Sequence, residues 1–230
     1  NLIPAFVQGS ISSLGTINDS TGRSNFFLMS PSVSLSSASS YTSTSGSLSI
    51  LAGQMSLGNI NTNGVNLNLT AVQSIAIGAI NTINSGGTKA GNATLLSVLG
   101  SVTSGKIDSN VTSGSASSGN VTISAYGNLT TNSNSINSSN SGTGAGGTVN
   151  LTTSGTGSVQ LGQILTGVTN ATSNAAAGNI TIFSAGAIDM NGQAINSSNS
   201  GSGAGGTLTL TSDTFSVATA AIDTHATSGY

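Results

Sequence analysis

Short runs in which apolar and polar residues alternate recur along the whole chain. The clearest are Val121–Ile123, Val149–Leu151 and Ile180–Ile182. Looser versions of the same run are Leu48–Ile50, Val65–Leu69 and Leu208–Leu210. A strict two-residue period with β-branched residues is typical of a strand that has one buried face. No apolar period of 3.6 residues appears, and the abundant Gly, Ser, Thr and Asn are poor helix formers. The pattern therefore predicts an all-β chain.

A second apolar segment follows each run and ends on isoleucine. Its usual form is apolar-x-apolar-Gly-x-Ile, as in Met55–Ile60, Ile75–Ile80 and Val159–Ile164. Looser copies are Ile11–Ile17, Val102–Ile107, Ile188–Ile195 and Val217–Ile222. The glycine occupies the place where the strand must bend sharply, which suits a residue without a Cβ atom.

Three separate motifs of this chain occur twice at one offset. Gly119–Ile123 returns at Gly178–Ile182, Ile136–Gly142 returns at Ile195–Gly201, and Gly144–Leu151 returns at Gly203–Leu210, always 59 residues later. A shared offset among unrelated motifs marks a true internal repeat. Because glycine-bounded strand starts recur mostly every 27 or 28 residues, we interpret the 59-residue unit as two successive coils.

The isoleucine that closes each second segment is almost always followed by Asn or Asp. These residues are Asn18, Asn61, Asn81, Asp108, Asn137, Asn196 and Asp223, and Leu165 is the exception. A short amide or carboxylate at a fixed corner tolerates left-handed backbone geometry and accepts hydrogen bonds from its own backbone. Asn side chains stacked on successive coils can also bond to one another. We therefore predict a structural corner column in preference to a ligand site.

Three short segments per coil, with glycine at the bends, predict a single-stranded, right-handed parallel β-helix. About eight coils would give a rod about 40 Å long at the usual strand spacing. We assign residues 1–24 to an N-terminal cap or inter-subunit segment with a first irregular coil, and residues 25–230 to the β-helix. The two-coil repeat then occupies 119–177 and 178–230. Residues 25–46 fit poorly, because Phe26–Met29 is a dense apolar run.

Charge is almost absent from the chain and excludes several classes of function. Charged residues make up 3% of the sequence, against about 25% in ordinary soluble proteins, and the net charge is −2. No basic surface for nucleic acid is therefore expected. The chain has no cysteine, so it forms no disulfide, and it has no apolar run long enough for a membrane-spanning helix.

The few ionisable residues do not suggest an active site. Asp189 is a lone acid that the alternation places outward, while Asp108 and Asp223 lie several coils apart. A glycosidase needs two carboxyl groups within about 10 Å. Lys106 beside Asp108 is typical of a surface contact, and the single histidine, His225, of a solvated side chain. We therefore expect no enzymatic activity, no cofactor and no metal site.

The strand starts Gly-Asn-Val-Thr-Ile at Gly119 and Gly-Gly-Thr-Val-Asn-Leu at Gly146, with their glycine-punctuated second strands, resemble a known repeat style. They are similar to the repeats of the filamentous-haemagglutinin-type exoproteins, the large bacterial adhesins exported by two-partner secretion. The resemblance covers roughly Gly46 to Asp223. The Asn-Pro-Asn-Gly type motif of that family's secretion domain is absent. The resemblance implies a location outside a bacterial-type cell, in a surface fibre or adhesin.

Three functions follow as hypotheses. The first is a non-enzymatic subunit or segment of an extracellular bacterial surface filament, a homopolymer assembled by end-to-end stacking of coils. The second is an adhesin whose variable loops after the Asn corner, such as Ser138–Gly147 and Thr166–Gly178, bind a glycan or host surface. The third is ice binding, which requires a continuous two-column array of threonine. In the sequence, Thr122, Thr209 and Thr211 look too scattered for such an array.

Overall fold

The computed structural model describes residues 2–6, 10–11, 17–19, 25–35, 39–43, 46–213 and 215–227. In this part of the chain every regular element is a β-strand and every pairing between strands is parallel. The strands form one 16-stranded and one 9-stranded sheet. Each strand pairs with its counterpart one coil away, so the fold is a parallel β-solenoid. The predicted β-helix is thus confirmed.

Each pass of the chain contributes a first, a second and a third strand. The strands before residue 46 are β1 (Leu2–Phe6), β2 (Ser10–Ile11), β3 (Ile17–Asp19), β4 (Asn25–Leu35) and β5 (Ser39–Ser43). Two passes follow as β6 (Ser47–Leu57), β7 (Ile60–Asn61), β8 (Asn66–Ala71), β9 (Ile75–Ile77) and β10 (Ile80–Asn81). In the first of these, β6 runs through the bend and supplies both the first and the second strand.

The five remaining passes have the same three-strand order. Two of them comprise β11 (Ala93–Ser97), β12 (Val102–Ser104), β13 (Ile107–Asp108), β14 (Val121–Ala125), β15 (Leu129–Thr130) and β16 (Ile136–Asn137). Two more comprise β17 (Val149–Thr153), β18 (Val159–Gln160), β19 (Ile164–Leu165), β20 (Ile180–Ser184), β21 (Ile188–Asp189) and β22 (Ile195–Asn196). The last pass comprises β23 (Leu208–Ser212), β24 (Val217–Ala218) and β25 (Ile222–Asp223).

The first strands stack in one register from β6 to β23. The residues opposite one another are, in order, Leu48, Leu67, Ala93, Val121, Val149, Ile180 and Leu208. These seven positions are separated by about six turns, so the predicted eight coils was slightly too many for the regular part of the solenoid. Val149 lies opposite both Val121 and Ile180, so the 59-residue repeat spans two coils.

The core is a pile of aliphatic side chains inside the coils. Val121, Val149 and Ile180 are completely buried and lie directly above one another. Parallel columns contain Ile123, Leu151 and Ile182 from the same strands, and Leu129, Val159 and Ile188 from the second strands. Apolar burial contributes about 25 cal/mol per Å². Because no coil can bury its own apolar side, the stability is largely a sum over neighbouring coils.

The region predicted to be irregular continues the solenoid. β4 pairs with β6 from Phe26 opposite Leu48 to Leu35 opposite Leu57, and β1 and β2 pair with β4. Strands that are paired on both edges need not alternate, which explains the dense apolar run. Residues 12–16 of the predicted Ile11–Ile17 segment lie outside the described residues.

No helix of the length and hydropathy needed to cross a membrane occurs in the described ranges.

Candidate functional site: corner column, loop face and open end

Register brings six of the seven predicted corner residues into one column. Asn61 lies opposite Asn81, followed by Asp108 and Asn137; after Leu165 the column continues with Asn196 and Asp223. Asn18 does not lie in this column. Its backbone partner is Thr42, whereas Ser40 is the residue opposite Asn61.

Each corner side chain acts mainly within its own turn. Asn81 Oδ1 accepts the backbone N–H of Ile83 at 2.8 Å, and Asn137 and Asn196 accept those of Ser139 and Ser198 at 3.1 and 3.0 Å. This is the predicted bond to a residue's own backbone. The predicted bonds between stacked corner side chains are not found among the described residues, and the described non-glycine residues with positive φ are Asn63, Asn132, Ser133 and Asn191. The corner column is therefore a set of separate turns.

A different asparagine column links the coils. Asn92 donates its backbone N–H to Asn66 Oδ1, Asn120 donates to Asn92 Oδ1, and Thr148 donates to Asn120 Oδ1, each at 2.8 Å. Thr207 repeats the contact with Asn179 Oδ1 at 2.9 Å. These residues begin the first strands, where the bonds of the sheet start. The Gly-Asn strand start therefore has a physical role that the sequence pattern alone did not reveal.

A hydroxyl residue directly after the corner closes the base of each loop. The members of this set are Thr82, Ser109, Ser138, Thr166 and Ser197, all completely buried. The carbonyl oxygen of Ser138 accepts the N–H of Gly147 at 2.8 Å, and that of Thr166 accepts the N–H of Gly178 at 2.8 Å. Each hydroxyl also donates to the carbonyl oxygen of such a glycine. Sequence reasoning missed this set, although Ser or Thr follows the corner each time.

The loops are held by buried asparagines. Asn140 is completely buried, and its Nδ2 donates to the carbonyl oxygens of Ala116 and Ala145, both at 2.9 Å. Its Oδ1 accepts the N–H of Gly142 at 2.8 Å. Ala116 belongs to the loop of the preceding pass, so one amide joins two loops. Asn199 makes the equivalent three bonds one repeat later.

The buried asparagines alternate with valines along the stack of loops. Isolated parallel bridges join Val111, Asn140, Val168, Asn199 and Ala226 in that order. Neighbouring loops therefore use different residues at the same place, and every second loop uses the same one. This alternation gives a structural reason for the repeat of two coils.

Charged side chains are dispersed over the solenoid. Lys106 Nζ lies 3.0 Å from Asp108 Oδ2, and Asp108 Oδ1 is buried without a hydrogen-bond partner. The Asp223 carboxylate contacts the imidazole of His225. In the described portion no three His, Cys, Asp or Glu side chains converge as metal ligands.

The contact with His225 lowers the pKa of Asp223 below 3.8, chiefly through the hydrogen bond between the two side chains. A depressed carboxyl pKa stabilises the fold above the unfolded value, and the contribution is lost as the pH falls through the folded value. NMR titration of the carboxyl carbon should therefore give a midpoint below 3.8. In His225→Ala the midpoint should rise, and an unchanged midpoint would show that the imidazole is not the cause.

The outer face of the first strands carries one regular polar column. Thr94, Thr122, Asn150, Thr181 and Thr209 lie in register. The column beside it reads Leu96, Ser124, Thr152, Phe183 and Thr211. Threonines that look scattered in the sequence are thus aligned, but Leu96 and Phe183 interrupt the second column that an ice-binding array needs.

The loop face forms a shallow groove without charged residues. It is lined by Thr112, Ser113, Gly114, Ser115, Ser141, Gly142, Thr143 and Asn170. The loops are stacked in order, because Ser141 donates its N–H to Val111 O at 2.9 Å and Thr143 donates to Gly114 O at 2.8 Å. This face presents hydroxyl groups, an amide and backbone groups in fixed positions.

The last pass exposes side chains that belong to the core columns. Val217 and Ile222 are 42% and 49% exposed, whereas Ile188 and Ile195, their counterparts one coil earlier, are completely buried. Leu208 and Leu210 are only partly buried against the core. The C-terminal end of the solenoid, residues 207–227, is therefore an open apolar end with unpaired strand edges.

Comparison with protein-family models, with curated proteins and with solved structures gives no match. The resemblance to filamentous-haemagglutinin-type repeats accordingly stays a prediction.

Proposed function

We propose that this chain is a non-enzymatic structural subunit or segment of an extracellular filament of bacterial type, built by stacking coil upon coil. The observation that carries the proposal is the open apolar end. Val217 and Ile222 occupy the columns that are filled everywhere else by the next coil. A further coil in the same register would bury them.

The open strand edges support the same proposal. β23, β24 and β25 are the terminal strands of their sheets, and no further strand pairs with their outer edges among the described residues. Natural proteins usually protect such edges with charge, proline or a covering segment. The last pass carries only Asp213 and Asp223 as acids, no proline and no lysine. Little electrostatic repulsion therefore opposes stacking.

Electron microscopy of the purified protein over a range of concentrations tests this function. We expect rods whose lengths are multiples of one molecule and grow with concentration. The double variant Val217→Asp/Ile222→Asp should remain single, because it places two charges in the stacking surface. Thr209→Asp, on the outer face of the same pass, is the matched control and should assemble normally. Discrete single molecules of the unchanged chain at every concentration would overturn the proposal.

Adhesion through the loop face is a second candidate, favoured by the ordered groove between Thr112 and Asn170. Its hydroxyl-rich lining suits a polar, uncharged surface. Replacing Thr112, Ser141 and Thr143 by alanine should weaken adhesion to cells. Adhesion that survives the triple replacement unchanged would exclude the loop face.

A further inference from the structure

A second recess lies on another face of the solenoid, over the second strands. The outward residues of these strands form the column Ala76, Thr103, Thr130, Gln160, Asp189 and Ala218. Over three consecutive coils, a hydroxyl, an amide and a carboxylate thus stand in line. Alanines lie at both ends of the column. The recess beside them is built by register, because its residues lie about one coil apart in the sequence.

The recess has a volume of about 360 Å³. Its lining consists of Asn128, Leu129, Thr130, Ser158, Val159, Gln160, Ala187 and Asp189. Leu129 and Val159 are completely buried, so these two residues anchor the recess in the core. The strands that carry the lining are paired on both sides, which makes the recess a preformed feature of the sheet.

Asn191 holds the polar groups of the recess in place. Its N–H donates to Asp189 Oδ1 at 2.7 Å, its Nδ2 donates to Leu161 O at 2.9 Å, and its Oδ1 accepts Gln160 Nε2 at 3.2 Å. Asn191 has a φ of 48°, a conformation that asparagine tolerates well. Asp189 Oδ2 has no protein partner within the described part of the chain. This oxygen is free to accept hydrogen bonds from a ligand.

Thr130 is oriented as a donor. Its Oγ1 accepts the N–H of Asn132 at 3.1 Å, which leaves its hydroxyl hydrogen for another acceptor. The recess therefore offers a carboxylate that accepts, an amide that donates and accepts, and a hydroxyl that donates. No cationic side chain lines it. This combination suits a ligand with many hydroxyl groups and no negative charge.

We propose that this recess binds a neutral glycan chain that lies across three coils. The carboxylate of Asp189 accepts sugar hydroxyls, Gln160 and Thr130 bind neighbouring hydroxyls, and Ala187 contacts the apolar part of a sugar ring. Asp189 is the only carboxylate of the lining, so the site has no acid pair for hydrolysis and serves binding alone. The inference does not depend on the filament role, since these coils lie away from the open end.

NMR titration of the full chain with cellohexaose, chitohexaose and mannohexaose tests the site. For at least one of these neutral probes we expect shifts of the side-chain amides of Gln160 and Asn191. Asp189→Asn keeps the acceptor for the Asn191 N–H, as at the corner asparagines, but removes the charge. It should weaken binding about tenfold, and Gln160→Ala should weaken it severalfold.

Thr122→Ala on the first-strand face and Thr143→Ala on the loop face are the matched controls and should bind like the unchanged chain. Thermal unfolding of Asp189→Asn should match that of the unchanged protein, which separates lost binding from lost folding. Three results would overturn the inference: no shift with any neutral probe, shifts confined to the loop face, or binding of a cationic glucosamine hexamer alone.

Discussion

Replacing Gly147 by alanine is expected to destabilise the fold by about 3 kcal/mol or more. A Cβ atom at this position would overlap the carbonyl oxygen of Gly119 in the preceding pass and the hydroxyl of Ser138. The backbone oxygen cannot move aside without breaking the sheet register. Gly119, Gly178 and Gly206 stack in the same way, so the clash would be transmitted along the column. Urea denaturation followed by circular dichroism gives the difference in unfolding free energy.

Gly86→Ala is the matched control for this prediction. A Cβ atom on Gly86 would meet only the side chains of Thr88 and Asn84 at ordinary distances of 3.7 to 4.0 Å, so its stability should change little. If the two variants were equally stable, the close approach of glycines would not be what sets the packing of the coils. Loss of stability in Gly147→Ala alone would establish it.

Replacing Asn140 by alanine should cost about 3 kcal/mol, because it leaves three backbone groups without partners. These groups are the carbonyl oxygens of Ala116 and Ala145 and the N–H of Gly142. Asn199→Ala should cost a similar amount, since its three bonds are equivalent. The same denaturation measurement applies, and hydrogen exchange should accelerate at Gly142 in the first variant.

Asn150→Ala provides the comparison, because Asn150 is exposed on the outer face of β17. Its stability should lie within about 0.5 kcal/mol of the unchanged chain. Equal losses for Asn140→Ala and Asn150→Ala would mean that the loops are not held by the buried amide.

The core could be predicted from the sequence because each buried strand shows its inward side chains directly. Val121 and Ile123 flank an outward threonine, and this alternation recurs at Val149 and Ile180. A period of two fixes which face is buried. The common offset then fixes which strands are neighbours, so both the pairing of strands and the stacking of Val121, Val149 and Ile180 followed from it.

Loop structure was beyond such reasoning for a physical reason. Asn140 is buried and Asn137 lies at a corner, yet both occur in one run of Ser and Asn. Only the stacked loop of the preceding pass supplies the carbonyl oxygen of Ala116 that makes burial of Asn140 favourable. Composition cannot distinguish two asparagines whose difference lies in contacts with another coil.

The glycan-binding recess was hidden for a related reason. Thr130, Gln160 and Asp189 each look like an ordinary outward residue of a short strand, and Asp189 in particular looks like a lone acid. Their proximity comes from the register of β15, β18 and β21. Small differences in loop length between passes obscure that register in the sequence, and the strand pairing restores it.

The alternation of valine and asparagine in the loop bridges constrains how such a chain can evolve. Deleting a single coil would bring Asn140 and Asn199 into adjacent passes, so that two amides compete where one amide and one valine now fit. Deleting or duplicating a pair of coils preserves every neighbour. Gene rearrangements that lengthen or shorten this protein should therefore be tolerated in steps of 59 residues.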